Sequence, residues 1–113
     1  MIPDSRALMR KLKMENLVIA TFPAARGKFE ELRATLAEAL PETRAFDGCI
    51  RLEVYQEEGT ETFTVVEDWE SFDHYDRYRQ WRQQTGMTQL LDGLLAGGIG
   101  GFRIQKFRAR PDI

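Results

Sequence analysis

The chain has 113 residues, with 16 lysines and arginines against 18 aspartates and glutamates, and its formal net charge of −2 lacks the basic excess typical of nucleic-acid binding. A hydrophobic share of 42% and a charged share of 30% are typical of one folded globular domain. One cysteine excludes an internal disulfide, which fits a reducing cytoplasm. One histidine disfavours a metal site built from histidine and cysteine, and no apolar run is long enough to span a membrane. We therefore expect a cytoplasmic protein that binds no metal, nucleic acid or membrane.

Residues 1–15 are predicted to be a basic N-terminal extension. Asp4 or Ser5 is a suitable N-cap for a short amphipathic helix ending near Lys13. The segment lacks the long apolar stretch and the cleavage site of a secretory signal. Two interpretations stay open, a membrane-surface or targeting segment and a poorly ordered or docked extension. Met14 is an alternative start, because the periodic pattern begins directly after it.

The first strand and the first helix follow. A β-branched apolar run predicts a strand over 16–22, which Pro23 ends. Both of its faces are apolar, which is typical of a strand covered on both sides. A helix is predicted over 26–40, with Pro41 as its stop. Its apolar positions recur at helical spacing: Phe29, Leu32, Leu36 and Leu40.

Two alternating segments joined by a short turn predict a hairpin of strands over 49–56 and 62–69. In the first of these strands one face carries Ile50, Leu52 and Val54, and the other carries Cys49, Arg51, Glu53 and Tyr55. In the second strand one face carries Phe63, Val65, Glu67 and Trp69.

The C-terminal third predicts two helices and a strand. Ser71 is a suitable N-cap for a helix over 72–84, which Gly86 ends. A compact helical stripe runs from Met87 to Leu95. The glycine-rich segment 97–101 lacks the spacing of a phosphate-binding loop and is interpreted as a helix stop and turn. A fourth strand is predicted over 102–107.

This order, βαβ followed by βααβ, predicts an α+β protein with a ferredoxin-like split βαβ sandwich, in which a four-stranded antiparallel sheet carries helices on one face. The domain is expected to span 16–108, with 109–113 as a C-terminal tail. The other sheet face then lies bare, although the first strand is apolar on both sides. A second copy of the same sheet is the simplest cover, so we expect a homodimer.

The aromatic segment 69–81 is the most unusual part of the sequence. On a helix, His74, Tyr78 and Trp81 fall within about 60° of one another, with Tyr75 adjacent. These rings can wall a ligand cavity between helix and sheet, or they can be core and dimer-interface residues. We assign the substrate-binding lining to sheet and helix side chains: Phe63, Val65, Glu67, Tyr75, Trp81 and Leu91.

Glu67 and Cys49 are two further residues with candidate chemistry. Strand alternation points Glu67 toward an otherwise apolar face, where a carboxylate has a raised pKa or needs a partner. Alternatively, Glu67 lies at a strand end and reaches solvent or an arginine. Cys49 has no neighbouring base in the sequence, and we interpret it as a small buried hydrophobe.

Three segments carry a resemblance to a known family. Residues 67–73 (EDWESFD) resemble the E-x-W-x-S-x-(D/E) signature of antibiotic biosynthesis monooxygenase domains. Residues 43–49 (TRAFDGC) are similar to the family's T-R-x-x-x-G-C segment before its second strand, and residues 26–32 (RGKFEEL) to its x-G-K-x-x-E-L helix start. The resemblance implies a dimeric α+β barrel, in agreement with the fold derived above.

The resemblance also implies an activity. Family members include oxygenases that use no metal, flavin or haem and act on quinol-like or anthrone-like aromatics. In the implied mechanism a phenol or enol loses a proton in an apolar pocket, and the anion reacts directly with O₂. We therefore expect an oxidoreductase with no cofactor, whose partners are a small aromatic substrate, O₂ and a second copy of the chain.

The catalytic residues implied by the resemblance are Trp69, Tyr78 and His74. Trp69 is expected to orient an oxygen species, Tyr78 to hydrogen-bond the substrate oxygen, and His74 to act as a base. The family often has a histidine nine residues after the signature tryptophan, where this chain has Tyr78, and its only histidine is His74, one turn earlier.

Two other functions stay open from the sequence. A non-catalytic dimeric module that binds or senses a small molecule uses the same fold. Haem breakdown, known in relatives, is disfavoured because the positions of its usual asparagine and histidine fall near Ala20 and near Tyr78 or Arg79.

Overall fold

The computed structural model describes residues 15–113, so the short helix predicted to end near Lys13 lies outside the described residues. Four strands and three α-helices follow in the predicted order: β1 (Asn16–Pro23), α1 (Phe29–Arg44), β2 (Cys49–Gln56), β3 (Thr62–Trp69), α2 (Phe72–Gln84), α3 (Met87–Asp92) and β4 (Arg103–Arg108). A short 3₁₀ helix (Gly98–Gly101) precedes β4. In the described range no helix is long and apolar enough to cross a membrane.

The strands form one antiparallel sheet in the order β2-β3-β1-β4. This is the predicted ferredoxin-like arrangement, in which each βαβ unit contributes one central and one edge strand. The helices cover one face of the sheet, called here the inner face. The core beneath them is built from sheet and helix side chains: Val18, Ala20, Phe22, Leu32, Leu36, Leu40, Leu52, Phe63, Val65, Leu91, Leu94 and Leu95.

Helix α1 extends one turn beyond its predicted end. The sequence places the stop at Pro41, but the helix continues through Pro41 to Arg44. The carbonyl of Pro41 still accepts the backbone N–H of Ala45, so the turn closes after the proline. The extension buries Thr43 against α2, and that residue takes part in the site described below.

A β-bulge in β2 overturns the predicted facing of its first residues. The register shifts between Cys49 and Arg51, so that Cys49 pairs with Trp69, and Arg51 pairs with Asp68. A bulge adds one residue and breaks the strict alternation of faces. Cys49 therefore packs against the core on the inner side, whereas Ile50, predicted to share a face with Leu52, is 45% exposed.

The opposite face of the sheet, called the outer face, carries no helix among the described residues. Cross-strand rows place Leu17 between Asp68 and Phe107, and Ile19 between Val66 and Gln105. Tyr55 and Phe107 on this face are 56% and 42% exposed. Its covering by a second copy of the chain stays a prediction.

Candidate functional site

A cavity of about 220 Å³ lies between the inner face and the three helices. Most of its walls are apolar side chains contributed by β1, β3, α1, α3 and the segment before β4: Ala20, Phe22, Leu36, Ala39, Leu40, Val65, Met87, Leu91, Ile99 and Phe102. Polar groups enter from β3, α2 and α3: Glu67, Tyr75, Tyr78, Arg79, Arg82, Gln83 and Thr88. Apolar walls with a few convergent polar groups are typical of a small-molecule site.

Glu67 is the carboxylate of this cavity. It lies on β3 between Val18 and Leu52 of the neighbouring strands and is only 4% exposed. Its Oε1 accepts a hydrogen bond of 2.9 Å from the indole Nε1 of Trp69. Burial raises the pKa of Glu67 to about 7, while the Trp69 bond and the positive charge of Arg79 oppose that rise. The carboxyl group can therefore accept and return a proton near neutral pH.

Trp69 lies behind Glu67 and is completely buried. Its ring centroid is 5.5 Å from that of Tyr75 and 5.4 Å from that of Tyr78, and Phe46 packs at its edge at 6.4 Å. Such tilted and edge-on contacts fix the indole plane. The indole N–H is thereby held toward the Glu67 carboxylate.

A buried arginine anchors the phenol of Tyr78. Arg82 is 5% exposed, and its Nε donates to the Tyr78 hydroxyl at 2.9 Å. Its Nη2 donates to the Ala39 carbonyl at 2.6 Å and to Thr43 Oγ1 at 3.0 Å. Thr43 Oγ1 and the Tyr78 hydroxyl are also 2.8 Å apart. The network ties α2 to the last turns of α1 and holds Tyr78 at the cavity wall.

Arg79 is placed differently from Arg82. It lines the same cavity, and its guanidinium carbon lies 5.0 Å from the ring centroid of Phe102. It makes no hydrogen bond or ion pair with any residue of the described part of the chain. Gln83 and Thr88, which also line the cavity, have side chains with no hydrogen bond within residues 15–113.

The structure brings most of the predicted binding residues to one cavity. Val65, Glu67, Tyr75 and Leu91 line it, as does Tyr78, which we predicted as catalytic. Their role in binding or catalysis stays a prediction.

Four predicted site residues do not line the cavity: Phe63, Trp69, Trp81 and His74. Trp69 lies behind the cavity lining, where it contacts Glu67, Tyr75 and Tyr78. Phe63 is buried and stacks on Phe29 at 4.9 Å between ring centroids. Trp81 packs against Phe46 at 5.5 Å and lies 4.6 Å from the guanidinium carbon of Arg82.

His74 lies outside the cavity, at the start of α2. Its backbone N–H donates to Ser71 Oγ at 3.1 Å, so Ser71 is the N-cap that the sequence predicts. The Ser71 hydroxyl is also 2.6 Å from His74 Nδ1. On its other side, His74 Nε2 lies 3.5 Å from Glu70 and 3.8 Å from Asp47, both exposed carboxylates.

Three residues of the site were not predicted from the sequence: Thr43, Arg79 and Arg82. Helix spacing could have identified Arg82 as a buried residue, because it shares one face of α2 with the buried Tyr75 and Tyr78. Thr43 was not predicted to lie on α1, because the helix was expected to stop at Pro41. Cys49 is half-buried, and burial together with the nearby Glu67 raises the pKa of its thiol to about 11, which keeps the thiol protonated.

No group of three or more histidine, cysteine, aspartate or glutamate side chains suited to a metal ion occurs within residues 15–113.

Comparison with a protein family gives a direct match. The sequence profile of the antibiotic biosynthesis monooxygenase family matches residues 17–88, which include β1 to α2 and most of the residues that form the cavity. No curated protein sequence matches the chain significantly.

Solved structures share the fold over nearly the whole domain. A protein from Shewanella oneidensis is 26% identical with a TM-score of 0.71, covering 86% of this chain and 93% of that chain. A protein from Methanosarcina mazei Go1 is 25% identical with a TM-score of 0.73, covering 86% and 95%. A mutant of SnoaB, a cofactor-independent oxygenase from Streptomyces nogalater, has a TM-score of 0.70 at 16% identity, covering 87% and 95%.

Proposed function

This chain belongs to the antibiotic biosynthesis monooxygenase family, and on that premise we propose that it is a cofactor-independent monooxygenase acting on a quinol-like or anthrone-like aromatic with O₂. The likeness to SnoaB, a cofactor-independent oxygenase, supports this proposal at the level of the fold. The support from this chain's own residues comes from the cavity and the groups that face it.

The observation that carries the proposal is a buried carboxyl group at the wall of an apolar cavity. Glu67 has a pKa of about 7 because of its burial, and it is fixed by the Trp69 N–H. A base with a pKa near the working pH is suited to deprotonating a phenol or an enol and to returning the proton later. We therefore assign the role of base to Glu67 rather than to His74, which lies outside the cavity.

The proposed reaction starts when the substrate O–H gives its proton to the Glu67 carboxylate. The electron-rich anion transfers one electron to O₂, and the substrate radical and superoxide combine to form a C–O bond. Glu67 returns its proton to the peroxide, which loses water to leave a carbonyl. For an anthrone, the ring CH₂ and O₂ thus become a ring carbonyl and one water, so that atoms and electrons balance.

The remaining residues support this chemistry by position. The apolar walls exclude water, which strengthens the interaction between the substrate anion and nearby donors. Tyr78 is held at the wall by Arg82 and Thr43, so its phenol is preorganised beside a bound ring. Trp69 acts by keeping the Glu67 carboxylate in place.

We also propose that the protein is a homodimer formed through the outer face of the sheet. Half-buried Leu17, Ile19 and Val66 lie there beside the exposed rings of Tyr55 and Phe107. Apolar side chains grouped on a sheet face in this way are buried efficiently by a second copy related by a two-fold axis. Light scattering during size-exclusion chromatography tests this: twice the chain mass is expected, and a monomer at micromolar concentration contradicts it.

The activity is tested by oxygen uptake with a panel of quinols and anthrones, using isotope-labelled O₂ to follow one oxygen atom into the product. Wild-type protein is expected to consume O₂ well above the background oxidation. Glu67→Gln should lose most of this rate, and Glu61→Gln, a matched change at an exposed carboxylate outside the cavity, should keep it. Ligand binding without turnover across the panel would instead support a non-catalytic binding module.

A further inference from the structure

The polar groups of the cavity are distributed unevenly. The sheet side offers one carboxyl group, Glu67, among apolar side chains. The α2 and α3 side offers hydrogen-bond donors: Arg79 and Gln83 lie one turn apart on the same face of α2, and Thr88 faces them from α3. These three residues, Arg79, Gln83 and Thr88, are called here the donor edge.

Arg79 is the charged group of the donor edge, and its hydrogen-bonding capacity is unused within the described part of the chain. A guanidinium has five N–H donors, whereas the observed neighbour of Arg79 is the face of the Phe102 ring, 5.0 Å from its guanidinium carbon. Stacking on a ring orients the planar group and leaves its edge free for an acceptor. Arg82, in contrast, donates hydrogen bonds from Nε to Tyr78 and from Nη2 to Thr43 and Ala39.

A half-buried guanidinium beside an apolar cavity, with donors that no residue of the 15–113 range occupies, matches a planar anion. Carboxylates pair with arginine through two parallel hydrogen bonds, which are stronger than bonds between neutral groups. The cavity of about 220 Å³ is below the ~300 Å³ at which sites for drug-sized ligands begin. This size favours a ligand of few rings.

We propose that Arg79, with Gln83 and Thr88, forms a carboxylate-recognition site, so that the protein selects a small planar aromatic acid over the neutral aromatic of the same shape. The inference deepens the proposed monooxygenase function and rests on it for the identity of the cavity as the substrate site. In the bound state the ring lies against the apolar walls, the carboxylate pairs with Arg79, and the oxidisable part of the ring is left facing Glu67.

The test compares the binding of 2-naphthoate and 2-naphthamide, which share ring and shape but differ in charge, by isothermal titration calorimetry at low ionic strength. A pH of about 6 lies below the pKa of Glu67 at about 7, so the carboxylate ligand meets little repulsion from it. Wild-type protein is expected to bind 2-naphthoate at least about tenfold more tightly than 2-naphthamide.

Variants of α2 assign the preference to one residue. Arg79→Gln should bring the two affinities to within about twofold, Arg79→Lys should keep part of the preference, and Arg77→Gln, at an exposed arginine of the same helix outside the cavity, should leave it unchanged. Circular dichroism checks that each variant is folded.

Equal binding of the two ligands by the wild type, an undiminished preference in Arg79→Gln, or no binding of either ligand to folded protein would overturn the inference. Neither ligand is oxidised in this experiment, so its outcome is separate from the oxygen-uptake assay. An acid preference without turnover would leave the recognition site standing and remove the monooxygenase function. Turnover of neutral quinols without an acid preference would leave the monooxygenase function standing and remove the recognition site.

Discussion

Glu67 makes the stability of the protein depend on pH in a direction opposite to that of an ordinary paired carboxylate. Its pKa is raised from 4.5 to about 7 in the folded chain. Between these values the folded state holds a proton that the unfolded state has released, so the free energy of unfolding falls as pH rises through this window. At ~1.4 kcal/mol per pH unit, the full loss is about 3 kcal/mol. This contribution is present below about pH 4.5 and lost above about pH 7.

The substitution Glu67→Gln isolates this effect. A glutamine keeps an oxygen that accepts the Trp69 N–H but carries no charge, so it resembles the protonated carboxyl group. We expect the variant to match the wild type near pH 5 and to exceed its free energy of unfolding by up to about 3 kcal/mol near pH 8. Urea unfolding followed by circular dichroism, at one protein concentration, measures both values.

The comparison removes the contributions of other groups. Burial raises the pKa of Asp68 as well, but its effect is common to both proteins and cancels in their difference. Glu61→Gln is the matched control, since Glu61 is exposed in the turn of the same hairpin, and it should follow the wild-type curve. If the curves for Glu67→Gln and the wild type run parallel from pH 5 to pH 8, the reasoning about burial is refuted.

Three further substitutions test single hydrogen bonds, two beside the cavity and one at the N-cap of α2. Trp69→Phe removes the N–H that lowers the pKa of Glu67, so the midpoint of the pH-dependent stability should move upward, and an unchanged midpoint would contradict this. Tyr78→Phe leaves the buried Nε of Arg82 without its acceptor and should lower the free energy of unfolding in urea by about 1–3 kcal/mol. A loss below a few tenths of a kcal/mol would show that Nε finds another partner. Ser71→Ala removes an N-cap and should cost about 1 kcal/mol, measured in the same way, whereas no loss would mean that the cap contributes nothing.

The sequence predicted the fold well because each element has a strong local signal. The apolar run of β1, the alternation of β3 and the Ser71 cap of α2 depend on neighbours in the sequence. The errors lie where tertiary packing decides. Helix α1 continues through Pro41 because its last turn packs against the rest of the protein, and such stabilisation is not visible in local propensity.

The site was predicted only in part, because local patterns position some of its residues and tertiary packing positions the others. Strand alternation pointed Glu67 toward an otherwise apolar face, and helix spacing indicated that Tyr78 can wall a cavity between helix and sheet. Helix spacing also grouped His74 and Trp81 with Tyr78. In the structure, however, the His74 side chain lies against Gly48 and near the exposed carboxylate of Asp47. The role of Arg79 depends on α3 and Phe102 closing the cavity from other parts of the chain, which no local pattern encodes.

The pH profile of oxygen consumption tests most directly whether Glu67 is the base of the reaction. With a quinol or anthrone that the wild type oxidises, the rate above background should rise through about pH 7 as the carboxyl group ionises. In Glu67→Gln, this rise should be absent and the rate low, while the variant still binds an unreactive naphthalene ligand. A variant that retains both the wild-type rate and its pH profile would contradict the assignment.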